Sequence, residues 1–378
     1  MSSLILNLLT DSWYRKGAIG SDTAATLDKT ISHLVQQGLP ITVVLPSFPR
    51  KVSFALKGRG RHPDLGECYS LAKLGKLMQA IGSIYRGGAK LVILSDGRKY
   101  MQASGASSAC ISQYQDELKV WTNLLGVQDV ISIEDYEDCL RDLPASVWAE
   151  REAKYNELKI QYRDTLMPLL NLLDLSGSLR RADVALGTGG ATMNSFAPLF
   201  SSLLFSVEYP FLTEYCQSQG LHARALSEYL FRIIDHEHHI KWIEDLRQNI
   251  VVKAWSATLE YLVRSHTDRA LDPVSTIFPL AVRGTIHAKP GQLAIETVNR
   301  ASNCLQPWHG MPLVRRSGNK TKLEIRPAIS LGADVRPVTW NCYAPEREPL
   351  SWFVHQPLLY LEAELGLQEA FEKLSMSK

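Results

Sequence analysis

Apolar positions in the first third of the chain switch repeatedly between a helical and an extended period. Over residues 21–38, Leu27, Ile31, Leu34 and Val35 share one stripe and Gly38 stops it, which predicts a helix. Pro40 then leads into Ile41-Thr42-Val43-Val44-Leu45, β-branched and short, a predicted strand ended by Pro46. Asp64 and Glu67 have the spacing of a capping box before the stripe Leu71, Leu74, Leu77, Met78, Ile81, and Gly87-Gly88 closes that helix. Residues 89–94 form the second predicted strand. Its run Leu91-Val92-Ile93-Leu94 suits burial on both faces before the polar turn Ser95-Asp96-Gly97-Arg98. A helix over 109–125, a strand over 127–133 and the acidic stretch Glu134-Asp135 follow. Strand, helix, strand, helix, strand is the order of a parallel sheet with right-handed crossovers.

Beyond residue 143 the period changes character. Residues 144–275 read as mostly helical, and 276–378 as rich in strands with a closing amphipathic helix over 357–374. Two turn signals, Lys289-Pro290-Gly291 and Ser317-Gly318-Asn319, predict hairpins within 280–298 and 313–326. The expected fold is therefore α/β: a Rossmann-like, mainly parallel sheet in an N-terminal domain (1–143), a helical middle (144–275) and a strand-rich C-terminal part (276–378).

Composition narrows the class. The chain has 378 residues, 45% of them apolar, enough for a large core, and a formal net charge of +2. So balanced a chain does not suit a general nucleic-acid-binding surface. The apolar patch at residues 4–9 is too short and wrongly flanked for a signal peptide, and the greasy stretch 196–212 contains Glu208 and two prolines. The six cysteines are dispersed with no Cys-x-x-Cys pair, which points to reduced thiols. The expectation is a soluble cytoplasmic protein without membrane or nucleic-acid partners.

Candidate chemistry gathers at the predicted strand ends, which a parallel sheet aligns along one edge: Phe48/Arg50/Lys51, Asp96/Arg98 and Glu134/Asp135. Residues 46–63 hold Arg50, Lys51, Lys57, Arg59 and Arg61 and no acid, which reads as an anion site or as a solvated loop. Asp96 reads as an acid–base group or as the start of an Asx-turn. Asp64 and Glu67 read as helix caps or as pocket carboxylates. Between the C-terminal strands lies Pro307-Trp308-His309-Gly310, where His309 could move protons and Trp308 could wall a pocket or anchor the loop. Gly187-Thr188-Gly189-Gly190 lacks a nucleotide-binding spacing. In His236-Glu237-His238-His239 only the outer pair lies one helical turn apart, so no metal site is assigned.

With those blocks in place, the sequence resembles the isocyanide (isonitrile) synthase family, also described as the pyoverdine/dityrosine biosynthesis family. The resemblance rests on Leu45-Pro46-Ser47-Phe48-Pro49-Arg50-Lys51, Pro63-Asp64-Leu65-Gly66-Glu67, Tyr85-Arg86-Gly87-Gly88-Ala89, Ser95-Asp96-Gly97-Arg98 and Pro307-Trp308-His309-Gly310. It weakens through the helical middle and returns near Arg283. What it implies is an enzyme joining the amino group of tyrosine or tryptophan to ribulose 5-phosphate, whose C2 becomes the isocyanide carbon. No metal or organic cofactor is implied, and an iron/2-oxoglutarate oxygenase is the implied downstream partner. The candidates under this resemblance are Asp96, His309 and Glu67 for catalysis, and Phe48, Arg50, Lys51, Asp64, Arg98, Arg283 and Trp308 for substrate binding. The alternatives are formation of N-formyl tyrosine, as in dityrosine-type relatives, and a non-catalytic sugar-phosphate-binding protein.

Overall fold

A computed structural model describes residues 1–51, 58, 60–187, 196–204, 244, 246–287, 289, 291–298, 305–318, 320–339 and 356–366. In chain order its elements are α1 (Ser2–Thr10), α2 (Ser21–Gln36), β1 (Ile41–Ser47), α3 (Leu65–Ile84), β2 (Ala89–Ser95), α4 (Met101–Ser104), α5 (Ser108–Leu124), β3 (Ile131–Asp135) and α6 (Tyr136–Leu140). Then come α7 (Ala145–Leu166), α8 (Leu175–Ala185), α9 (Phe196–Leu204), α10 (Val252–Leu271) and α11 (Pro273–Ile277). The chain closes with β4 (Val282–Thr285), β5 (Leu293–Ala294), β6 (Met311–Ser317), β7 (Lys320–Arg326), β8 (Val335–Val338) and β9 (Leu359–Glu362).

The first sheet has the order β3-β2-β1-β4-β5, and every pairing in it is parallel. Alternation along the strands divides its two faces. Ile41, Val43, Leu45, Leu91 and Ile93 pack with α2, α3 and α5, while Val44 and Leu94 meet α6 and α11 on the other side. From β1 the chain winds outward to β2 and β3, then returns to lay β4 on the opposite flank of β1. That reversal opens a crevice at the carboxyl ends of β1 and β4.

The predicted hairpin around Lys289-Pro290-Gly291 is not formed. Gly284 pairs with Leu293 in parallel, so both strands extend the N-terminal sheet. A turn signal marks where a chain reverses, not which strand it joins. Here β4 lies so near β1 that a Cβ on Gly284 would stand 3.2 Å from the Val44 carbonyl oxygen. The outer edge of β5 is covered by residues 14–16, through Lys16 N to Ala294 O at 2.9 Å and Glu296 N to Tyr14 O at 2.9 Å.

The second sheet, β7-β6-β9-β8, contains the expected β6–β7 hairpin. Its β9 corrects the closing helix expected over 357–374, whose residues beyond 366 lie outside the described ones. The run Leu358-Leu359-Tyr360-Leu361 is buried throughout, and such a short unbroken apolar run is ambiguous by period alone. The sheet seats on the start of α3, where Leu65 N donates to Leu358 O at 3.1 Å. The helical middle has its own core, with Trp255 of α10 against Phe196 and Phe200 of α9. The third strand begins at Ile131, since residues 127–130 form the turn before it. Thr188 to Gly190 and the 236–239 histidine cluster lie outside the described residues.

Candidate active site

At the carboxyl edge of the first sheet lies a cavity of about 210 Å³. Its floor is Ser47 at the end of β1, Asp96 and Gly97 after β2, and Ile286 and His287 after β4. Its roof is Leu199 and Leu203 of α9 with Tyr261 and His266 of α10, and Trp308 and His309 form part of its wall. The sheet edge is the expected one, but the strands differ. β4 replaces β3, because Asp135 is turned to cap α6 through Glu137 N at 3.0 Å and Asp138 N at 3.3 Å.

The backbone of the β1 exit is shaped for this site. Phe48 has φ 54°, a left-handed conformation costly for a bulky residue, on the order of 1–3 kcal/mol. It is held by Ser95 Oγ donating to Phe48 O at 2.8 Å and by its ring lying 4.7 Å from that of Trp308. The next residue then crosses Gly97 so closely that a Cβ there would stand 2.1 Å from the Pro49 carbonyl oxygen. Only glycine allows the two strand exits to approach in this way, and the approach brings Arg50 and Asp96 into one cavity.

Asp96 is the reactive-looking group. Its Oδ1 is buried without a hydrogen-bond partner, and burial pushes its carboxyl up to about 6 against the pull of Lys99 and Lys289. Such a carboxyl exchanges protons near neutral pH. Arg50 donates to Ser104 O at 3.0 Å, and burial lowers its pKa from the ordinary arginine value. His266 and His287 are held neutral, pushed down to about 4 chiefly by burial, with Arg269 adding to it at His266 and Lys16 and Lys289 at His287. Tyr162 reaches the Nδ1 of His266.

The other sequence candidates are placed elsewhere. Lys51 is fully buried and ion-paired to Asp64 at 2.7 Å and to Glu67 at 3.0 Å, and it donates to Pro307 O at 2.8 Å. Asp64 and Glu67 complete the capping box of α3, and Tyr114 donates to Glu67 at 3.1 Å. These three charges form a buried brace outside the cavity lining. Arg98 holds Asp138 at 3.2 Å and Ser112 at 2.8 Å, which ties the β2 exit to α5 and α6. Arg283 binds Asp272 and Ser275 at the α10–α11 junction. Phe48 backs the cavity wall through Trp308 and is itself fully buried.

Sequence reasoning missed the roof. Tyr100 stacks on Tyr261 with ring centroids 4.0 Å apart, and Lys99 pairs with Asp268 at 2.7 Å, so the β2 exit is bound to α10. The available signal was the spacing of Tyr261, Ser265 and Asp268 along one side of α10. Among the described residues no group of three His, Cys, Asp or Glu side chains is placed to hold a metal ion. None of the described helices is long and apolar enough to cross a membrane.

Comparison with known proteins agrees with this architecture. Residues 31–176 match the sequence model of the pyoverdine/dityrosine biosynthesis protein family. An L-tyrosine isonitrile synthase of Pseudomonas aeruginosa is 33% identical over 128 residues, covering 32% of this chain and 39% of that one. An L-tryptophan isonitrile synthase of Fischerella ambigua is 23% identical over 338 residues, 88% of this chain and 87% of that one. For the isonitrile synthases matched at 33–34% identity, the matched stretch spans only 34–39% of their own lengths. The crystal structure of PvcA from Pseudomonas aeruginosa shares the fold with a TM-score of 0.58 at 22% identity, over 96% of this chain and 99% of that one. Residues 31–176, which hold β1 to β3 and their crossovers, are thus similar in sequence to the pyoverdine/dityrosine biosynthesis family, and the fold is shared with PvcA almost end to end.

Proposed function

We propose that the chain is an isocyanide synthase that joins the amino group of an aromatic amino acid to ribulose 5-phosphate, with the sugar's C2 retained as the isocyanide carbon. The observation that carries this reading is the Asp96 carboxyl, its Oδ1 buried without a hydrogen-bond partner and the group poised at about 6, in a cavity that also holds Arg50 and an apolar wall. Attack of the amine on the C2 carbonyl forms a carbinolamine, and loss of its hydroxyl as water gives an imine. Protonated Asp96 is suited to deliver the proton that water needs, and its carboxylate to take one back from carbon. Leu199, Leu203 and Trp308 offer an apolar surface to an aromatic side chain. Arg50 offers a charge-assisted anchor to an anionic substrate group. His309, also in the cavity lining, offers a second proton carrier.

In this reading the protein's own acid–base groups perform the step without a resident cofactor, and an iron/2-oxoglutarate oxygenase takes the product. The names of the similar synthases support tyrosine or tryptophan as the amino acid. Purified protein incubated with ribulose 5-phosphate and either amino acid is expected to yield an isocyanide, or its N-formyl hydrolysis product, by mass spectrometry. Activity is expected to survive dialysis against a chelator. Absence of either product with all the common amino acids overturns the proposal.

A further inference from the structure

Two anionic substrates need two cationic anchors, and most cations around the cavity are already engaged. Lys99 is paired with Asp268 at 2.7 Å, Arg283 with Asp272, Arg98 with Asp138 and Lys51 with Asp64. Lys289 and Arg269 differ from these. Neither has an ion-pair partner among the described residues.

Each follows closely on a residue that lines the cavity. Ile286 and His287 line it, and Lys289 follows two residues on, in the connection from β4 to β5. His266 lines it from α10, and Arg269 is one helical turn further along. The Lys289 ammonium feels the positive charges of Arg269 and Lys99 and the negative charge of Asp96. Arg50 has different charged neighbours, Cys110 and Arg61, and lies against α4. Arg50 and the Lys289–Arg269 pair thus have separate charged surroundings, and Asp96 lies within the field of Lys289. A phosphate carries more charge than a carboxylate and draws correspondingly more from paired cations. The neutral imidazoles of His266 and His287 add donors beside it.

We propose that Lys289 and Arg269 hold the phosphate of the sugar phosphate at the β4 end of the cavity, which leaves Arg50 to take the carboxylate of the amino acid. The assignment of the two substrates rests on the synthase reading above, whereas the phosphate site at Lys289 and Arg269 does not. Anchored there, the sugar lies beside Asp96, and the amino acid enters from the Arg50 side with its ring toward α9.

The test is calorimetric titration of the full chain with inorganic phosphate at low salt, followed by the same titration with ribulose 5-phosphate. Lys289→Met and Arg269→Met are each expected to weaken both by about tenfold or more, with Lys289→Arg close to the unaltered protein. In turnover, Lys289→Met is expected to raise KM for the sugar phosphate and leave KM for the amino acid within about twofold, and Arg50→Met to do the reverse. Phosphate affinity unchanged in both methionine variants overturns the inference. A protein that makes no isocyanide but loses phosphate affinity on Lys289→Met refutes the synthase reading and upholds the anion site.

Discussion

Asp96 concentrates the chemistry at the residue scale. Its native carboxyl titrates near 6, above the ordinary carboxylate, because burial disfavours the charged form. The native state therefore takes up the proton before the unfolded chain does. The stability lost to this group is absent below about pH 4, develops as pH rises to about 6 and stays constant above. Asp96→Asn is thus expected to be more stable than the unaltered protein by about 1–2 kcal/mol at pH 8, with the difference vanishing at pH 4, measured by urea unfolding. The same variant is expected to lose on the order of 10²–10⁴-fold in turnover. A less stable Asp96→Asn at pH 8 would show that the side chain serves the turn instead. The sequence offered both readings of this residue. What decides between them is burial of Oδ1 without a partner, in a cavity that residues more than a hundred positions away, such as Leu203 and Tyr261, help to line.

Between elements, the buried brace of Lys51, Asp64 and Glu67 joins the β1 exit, the start of α3 and the Trp308 loop. The capping-box spacing was legible because it is local, three residues along one helix start. The destination of Lys51 was not. Lys51 reads as part of an anion site until the fold shows that Asp64 and Glu67, at the start of α3, already hold it. Lys51→Met is expected to cost about 3–5 kcal/mol, since it leaves two carboxylates buried without their cation. Because Lys51 also holds the Pro307 carbonyl, the variant is expected to displace Trp308 and His309 and so reduce turnover in whatever protein remains folded. An unchanged unfolding midpoint contradicts the brace. The β1 to β3 crossovers were legible for the same reason as the cap: each alternates its period cleanly. β9 and the parallel β4–β5 pair were not, because short apolar runs do not name their partners.

Across the whole molecule, the helical middle is tied to the sheet through Asp268 of α10. It accepts from Arg151 of α7 at 2.9 Å and from Tyr136 of α6 at 2.7 Å, and it pairs with Lys99 beyond β2 at 2.7 Å. Burial pushes this carboxyl up, but Lys99 and Arg151 outweigh it and hold the group below the ordinary range. Asp268→Ala is expected to destabilise the protein by about 3–5 kcal/mol. In hydrogen exchange, α10 is expected to lose protection before β1 and β2. Equal loss across the three elements contradicts its role as a joint. This joint closes the cavity, and it explains why the roof was hidden in a sequence whose middle reads only as helical. The proposed reaction turns on one bond, that from the amino nitrogen to a carbon supplied by the sugar. Incubation with ribulose 5-phosphate carrying carbon-13 at C2 tests it most directly. The isocyanide, or the formyl group it hydrolyses to, is expected to carry the label. An unlabelled product carbon, or no product from either amino acid, contradicts it.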